Sequence, residues 1–106
     1  MQPLQGMKVV DLTKVLAGPL CGQYLGEYGA DVVKVETVGG GDDTRRWLPQ
    51  VQGESAIFVA VNHNKRSIAV DLKTQQGRDI VHRLVKDADI VLQGFGGGTA
   101  KKLGVD

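Results

Sequence analysis

An intrachain disulfide is excluded from this 106-residue chain, because Cys21 is its only cysteine. Long apolar runs are also missing. No stretch reaches the ~18 residues that a membrane-spanning helix needs. The N-terminus, Met1-Gln2-Pro3-Leu4-Gln5-Gly6, has neither the basic start nor the apolar core of a secretory signal. Together these absences lead to the expectation of a cytoplasmic protein in a reducing setting, with no membrane partner. Charge of one sign is scarce. Thirteen Lys and Arg against twelve Asp and Glu leave a net charge of +1, and neither sign forms a long run. That argues against a nucleic-acid partner. His63 and His82 are isolated, and no spacing of His, Cys, Asp or Glu matches a metal site. Hydrophobic residues make up 42% of the chain, too many for disorder. The length fits one small domain over residues 1–106.

Glycine is in excess, with fifteen residues, about twice the usual share. Gly18, Gly22 and Gly26 recur every fourth residue, which predicts a helix lying close on a sheet. The element pattern agrees. Lys8–Leu12 reads as a buried strand, Pro19–Tyr28 as a helix that stops at Gly29, and Asp31–Glu36 as a second strand. A long loop follows over 37–54. Ser55–Val61 reads as a short helix capped by Ser55, and 62–66 as a polar turn. Ser67–Asp71 is a third strand, Thr74–Lys86 a helix, and Ile90–Leu92 a fourth strand. Gly94–Gly98 is a glycine-rich loop, and Thr99–Leu103 would begin another helix. The order predicts an α/β fold: a Rossmann-like parallel sheet of about four strands with flanking helices.

Ligands of such sheets bind at the carboxyl ends of the strands. Here those ends carry two glycine-rich loops and Lys73, which suits a phosphate or pyrophosphate. Glu36 stands where a ribose-binding acid would be. The first loop, however, reads Leu16-Ala17-Gly18-Pro19-Leu20-Cys21-Gly22-Gln23. It lacks G-x-G-x-x-G, and Pro19 removes an amide that such a site uses, so nicotinamide and flavin binding are disfavoured. Bland readings stand beside these. Lys73 would also solvate a helix start, Cys21 reads as a small buried residue, and His82 as an exposed one. Asp42 and Asp43 read as a loop-ordering ion cluster with Arg45 and Arg46. Asn64-Lys65-Arg66 reads as a turn, with phosphate contact as the alternative.

Several segments in order carry a resemblance: Ala17-Gly18-Pro19, then Leu25-Gly26-Glu27-Tyr28-Gly29-Ala30-Asp31-Val32-Val33-Lys34-Val35-Glu36, then Gly41-Asp42-Asp43-Thr44-Arg45, then Asn62-His63-Asn64-Lys65-Arg66-Ser67-Ile68-Ala69-Val70-Asp71-Leu72-Lys73. From about Leu4 to Gly104 the sequence closely resembles the start of the class III CoA-transferases, the CaiB/BaiF family. The resemblance implies a coenzyme A-binding domain that forms the N-terminal part of a longer, dimeric enzyme. Members move CoA from an acyl-CoA to a carboxylic acid, with CoA as substrate and no required cofactor. The family's aspartate nucleophile falls beyond position 106, so no catalytic residue is assigned and the chain is expected to be a truncated form without turnover. Carried over by resemblance, the CoA contacts are Val15, Leu16 and Ala17 after the first strand, and Val70, Leu72 and Lys73 at the third. Gly94, Phe95 and Gly96 follow the fourth strand, and Lys102 is the basic residue beyond. Phe95 would pack on the adenine. Arg45 and Trp47 match positions on the substrate side.

Departures from the family pattern are Gly94 for asparagine, Gly97 for proline, Thr37 for arginine and Leu16 for glutamine, with Lys102 where some members have arginine. Lost bidentate and amide groups predict weaker recognition of phosphate and base. Two other readings remain: a non-enzymatic α/β module that self-associates through an open sheet edge, and a binder of another nucleotide. A homo-oligomer is expected.

Overall fold

The computed structural model describes residues 2–95. The chain runs β1 (Lys8–Asp11), α1 (Ala17–Glu27), β2 (Asp31–Glu36), a 3-10 turn (Asp43–Arg46), β3 (Gln50–Val51), β4 (Glu54–Ser55), α2 (Ala56–Val61), β5 (Lys65–Ala69), α3 (Gln75–Lys86) and β6 (Ile90–Leu92). Four strands form one sheet in the order β5-β2-β1-β6, and every neighbouring pair is parallel. Counted among themselves, these strands stand in the order 3-2-1-4, as in doubly wound nucleotide-binding sheets.

The pleat sorts the strand residues onto two faces. Val9, Val32 and Ala30, the residue before β2, join Leu25 of α1 in one apolar cluster. Val10, Leu12, Val35 and Val70 join Val81, Leu84 and Val85 of α3 in another. One helix therefore covers each face, which parallel strands buried on both sides require. Fully burying a valine contributes roughly 1.5–3 kcal/mol, and Val9, Val32 and Val81 are each enclosed.

The glycine column packs as its spacing predicts. A Cβ on Gly22 would stand 2.9 Å from Asp11 Oδ2 and 3.3 Å from the Lys65 ammonium, and one on Gly18 would overlap the Thr13 side chain. With Gly22 and Gln23 turned inward, Cys21 faces out; it is exposed, not buried as expected. The helix also begins two residues earlier than expected. Pro19 is its third residue, and the first intrahelical bond runs from Leu20 N–H to the Leu16 carbonyl, so the proline costs no bond there.

Strand β5 begins at Lys65, not Ser67. Its register pairs Lys65 with Val32 and Arg66 with Val33, and both cations find carboxylate partners. Asp71, expected in that strand, instead turns the chain. Its side chain accepts from Lys73 N–H at 3.0 Å and its carbonyl from Thr74 N–H at 3.1 Å. The loop over 37–54 carries structure of its own: the 3-10 turn and a small antiparallel hairpin of β3 and β4, closed by Gln52 and Gly53 at positive φ. Among the described residues no helix is long and apolar enough to cross a membrane.

Candidate functional site

Strand β2 carries exposed Asp31 at its start and two further charged residues, Lys34 and Glu36, toward its carboxyl end. The pleat turns Val33 and Val35 toward α3, and Lys34 and Glu36 toward the other face. Asp11 of β1 and Lys65 and Ser67 of β5 lie on that same face, so a polar layer crosses three strands under α1 and the 37–54 loop.

Every buried member of the layer has partners. Lys65 Nζ donates to Asp11 Oδ2 at 2.7 Å, the Pro19 carbonyl at 2.8 Å and Asn62 Oδ1 at 2.9 Å. Asp11 also accepts from the Thr13 N–H at 2.9 Å and the Thr13 hydroxyl. Lys34 pairs with Asp42 at 2.9 Å, and the two side chains are 1% and 0% exposed. Glu36 takes two bonds of 2.7 Å from the Arg45 guanidinium, one from the Ser67 hydroxyl and one of 2.8 Å from the Asp42 N–H. Arg45 in turn lies 3.9 Å above the centre of the Phe58 ring. Among the described residues no buried side-chain nitrogen or oxygen lacks a hydrogen-bond partner.

These contacts set the charges. Burial pulls the Glu36 carboxyl up, but Arg45, Ser67 and the Asp42 N–H pull it down harder, to about 2 from 4.5. Asp42 is likewise pulled up by burial, yet Thr44 and Lys34 hold it below the usual carboxylate range. The Glu36 carboxylate raises Arg45. Burial lowers Lys65 against the opposing pull of Asp11.

Beyond the carboxyl ends of the strands lie two adjoining hollows. One of about 450 Å³ sits past β1 and β6, lined by the loop from Leu12 to Gly18 and by Gln93, Gly94 and Phe95. The strand order reverses there, which makes it the switch point where such sheets bind ligands. The other, of about 60 Å³, lies past β2 and β5, lined by Val35, Val70, Leu72, Lys34, Glu36 and Asp42 among others. Leu12, Thr13, Lys14 and Phe95 line both, so the two form one crevice along the sheet edge. The walls are mostly apolar, and the start of α1, which has no side-chain cap, lies on the larger hollow.

Most sequence-predicted site residues meet in this crevice. Val15, Leu16, Ala17, Gly94 and Phe95 line the larger hollow, and Val70 and Leu72 line the smaller with Phe95. Phe95 also packs on the cluster of Val10, Leu12, Val35, Val70 and Val81. Lys73 is exposed on the turn before α3 and lines neither hollow. Gly96, Gly97, Lys102 and the helix expected over Thr99–Leu103 lie outside the described residues.

Two expectations change. Glu36 is saturated by its own neighbours and is not free for a ribose. The ion cluster of the 37–54 loop exists, but it is wired differently: Arg46 holds Asp43 at 2.7 Å, Arg45 reaches back to Glu36, and Asp42 pairs with Lys34. Sequence reasoning does not bring Lys34, Asp42 and Lys65 together as a buried set. The one available signal was a lysine inside an otherwise buried strand, which demands a partner.

The sequence model of CoA-transferase family III matches residues 4–106. The chain belongs to CoA-transferase family III. An acyl-CoA transferase from Fusarium pseudograminearum is 49% identical over 96% of this chain and 24% of its own length. The human succinyl-CoA:glutarate CoA-transferase is 44% identical over 98% of the chain and 24% of its own length. A CaiB/BaiF family protein from Brucella suis superposes with a TM-score of 0.92 at 49% identity, covering 99% of this chain and 29% of the other. This family III chain thus spans about a quarter of the length of the curated relatives it matches.

Proposed function

We propose that the chain binds coenzyme A and acyl-CoA thioesters in the crevice at the carboxyl edge of its sheet. The reaction such binding serves is the transfer of CoA from an acyl-CoA to a carboxylic acid. One observation carries this reading: the β1–α1 loop and Phe95 face each other across a hollow at the topological switch point, and that hollow continues into an apolar cavity under Val70 and Leu72.

The two ends of the crevice suit the two ends of the ligand. Phe95, Val70 and Leu72 offer an apolar seat for a flat base. The uncapped start of α1 offers backbone N–H groups at Leu16, Ala17 and Gly18 for an anionic or polar group. Lys73, next in sequence to Leu72, is the cation this proposal assigns to a phosphate, and Gly94 leaves the opposite wall low. Gly96 and Lys102 complete the site by resemblance alone. The role proposed for these residues is to hold the thioester, and none of them is assigned as nucleophile.

Calorimetric titration tests the reading. CoA gives a binding isotherm and NAD gives none; heat with NAD alone, or with neither, overturns it. Lys73→Ala weakens CoA by about tenfold if the ammonium meets a phosphate, and an unchanged affinity returns Lys73 to the solvent.

A second copy of the chain is a further partner in this proposal. The described sheet leaves the outer edges of β5 and β6 unpaired, and Leu48, Val51 of β3 and Val59 of α2 stand exposed. Sedimentation at rising concentration is expected to show a dimer or larger species, and a monomer throughout removes self-association.

A further inference from the structure

The loop that shapes the larger hollow turns on an unusual residue. Val15 has a φ of 74°, the left-handed region that a β-branched side chain avoids. Such a conformation persists only where the surroundings over-determine it. Two buried side chains do so here. Lys34 Nζ donates to the Thr13 carbonyl at 3.0 Å. The Val15 N–H is shared between Asp42 Oδ1 and Oδ2, each at 3.2 Å. Lys34 and Asp42 also bind each other at 2.9 Å. One ion pair therefore grips a peptide group on either side of Lys14.

The grip has a rigid base. Asp42 accepts from Thr44 N–H at 3.0 Å and from the Thr44 hydroxyl at 2.8 Å, and its own N–H is held by Glu36 at 2.8 Å. Lys34 is fixed in β2, hydrogen-bonded between β1 and β5. A buried ion pair gives little net stability, because desolvation offsets most of its attraction. What this pair does deliver is geometry, since its spare donors and acceptors go to the loop.

We propose that Lys34 and Asp42 are positioning residues that hold Thr13–Val15 in this strained turn and so place Leu16 and Ala17 at the crevice. The consequence for ligand binding rests on the reading of the crevice as a CoA site; the clamp itself does not. Both side chains line the smaller hollow, but their spare donors and acceptors are spent on the loop. They act through the loop.

The test reads the Val15 amide by NMR in the ligand-free chain and the CoA affinity by calorimetry. Asp42→Ala raises hydrogen exchange at Val15 and weakens CoA, each by about tenfold or more. Asp42→Asn keeps an oxygen opposite the Val15 N–H. It therefore stays nearer to wild type in both readouts, although both variants leave Lys34 unpaired and melt earlier. Val32→Ala opens a cavity at the far end of β2. It lowers the melting temperature while leaving Val15 exchange and CoA affinity unchanged. The proposal is overturned if Asp42→Ala leaves Val15 no less protected than Val32→Ala does, or if Asp42→Asn falls as far as alanine in both readouts. Should Asp42→Ala not fold, Asp42→Asn decides alone. Loss of the charged acceptor moves the Val15 amide resonance far more than those of Val9 and Val10, and a resonance that stays in place overturns the clamp. A wild-type chain that takes up no CoA overturns the reading of the crevice, while the ligand-free Val15 amide still decides the clamp.

Discussion

A single missing side chain sets the path from β5 into α3. Gly77 lies in the first turn of that helix, and a Cβ there would stand 1.9 Å from the Asp71 carbonyl oxygen. The clash is with backbone, which cannot rotate away. Alanine would gain about 1 kcal/mol from helix propensity, but overpacking of this kind costs about 1–3 kcal/mol, and the distance places it at the upper end. Gly77→Ala is expected to be destabilising overall, read as a lower urea midpoint with an unchanged slope; a midpoint equal to or above wild type would show that the turn yields. Nothing in the local sequence distinguishes this glycine from any other helical glycine. The same holds for Lys34. Its place in a β-branched strand was legible, yet its partner Asp42 comes from the loop beyond, and only the folded chain brings the two to 2.9 Å. Composition and spacing name residue types; they do not name tertiary partners.

Elements were legible where local rules agree with burial. Strands β2 and β6 fall where the apolar runs place them. Helix α3 ends where expected and is capped by Thr74, whose hydroxyl accepts from Gly77 N–H at 3.0 Å. Ser55 caps α2 in the same way, accepting from Phe58 N–H at 3.4 Å. Caps are readable because the chemistry lies within three residues. Strand β5 departs from its expected start because distant charge fixes it. Lys65 looks like a turn residue until buried Asp11 neutralises it, and β5 then begins two positions earlier, with Arg66 carried along in the ladder. The 3-10 turn over Asp43–Arg46 was hidden in a long polar loop, although its cap follows the ordinary rule: Asp42 accepts from Thr44 N–H at 3.0 Å. That cap carboxylate also reaches Val15, which makes one short turn the support for the rim of the candidate site. The crevice walls came from resemblance and from the rule for parallel sheets. The polar layer behind them did not.

Across the whole molecule the two sheet faces differ in kind. The face under α3 is closed by aliphatic packing, and the rim end of the other by paired charges. That asymmetry predicts how the chain responds to acid. Exposed pairs such as Arg46–Asp43 and Arg66–Asp31 contribute little, because water and salt screen them. The buried carboxylates decide. Glu36 has a folded pKa of about 2 against an ordinary 4.5, and Asp42 is shifted in the same direction. A carboxyl whose pKa falls on folding contributes stability that is complete above its unfolded value and is lost as pH drops through the folded one. For Glu36 that window runs from 4.5 down to about 2, and the shift is worth about 3 kcal/mol. A chain of this length has roughly 5–15 kcal/mol in total, so one carboxylate is a large share. Urea unfolding free energies are therefore expected to hold steady above the window and to fall steeply within it. Glu36→Gln lowers stability at neutral pH, because Arg45 loses its charge partner, but glutamine does not titrate, so the acid slope becomes shallower by Glu36's share. Added salt leaves the remaining slope almost unchanged, since the pairs that produce it are shielded from solvent. If Glu36→Gln keeps the full wild-type slope, the acid sensitivity resides in other carboxylates, Asp42 first among them, and Glu36 contributes shape to the rim without governing the stability of the fold.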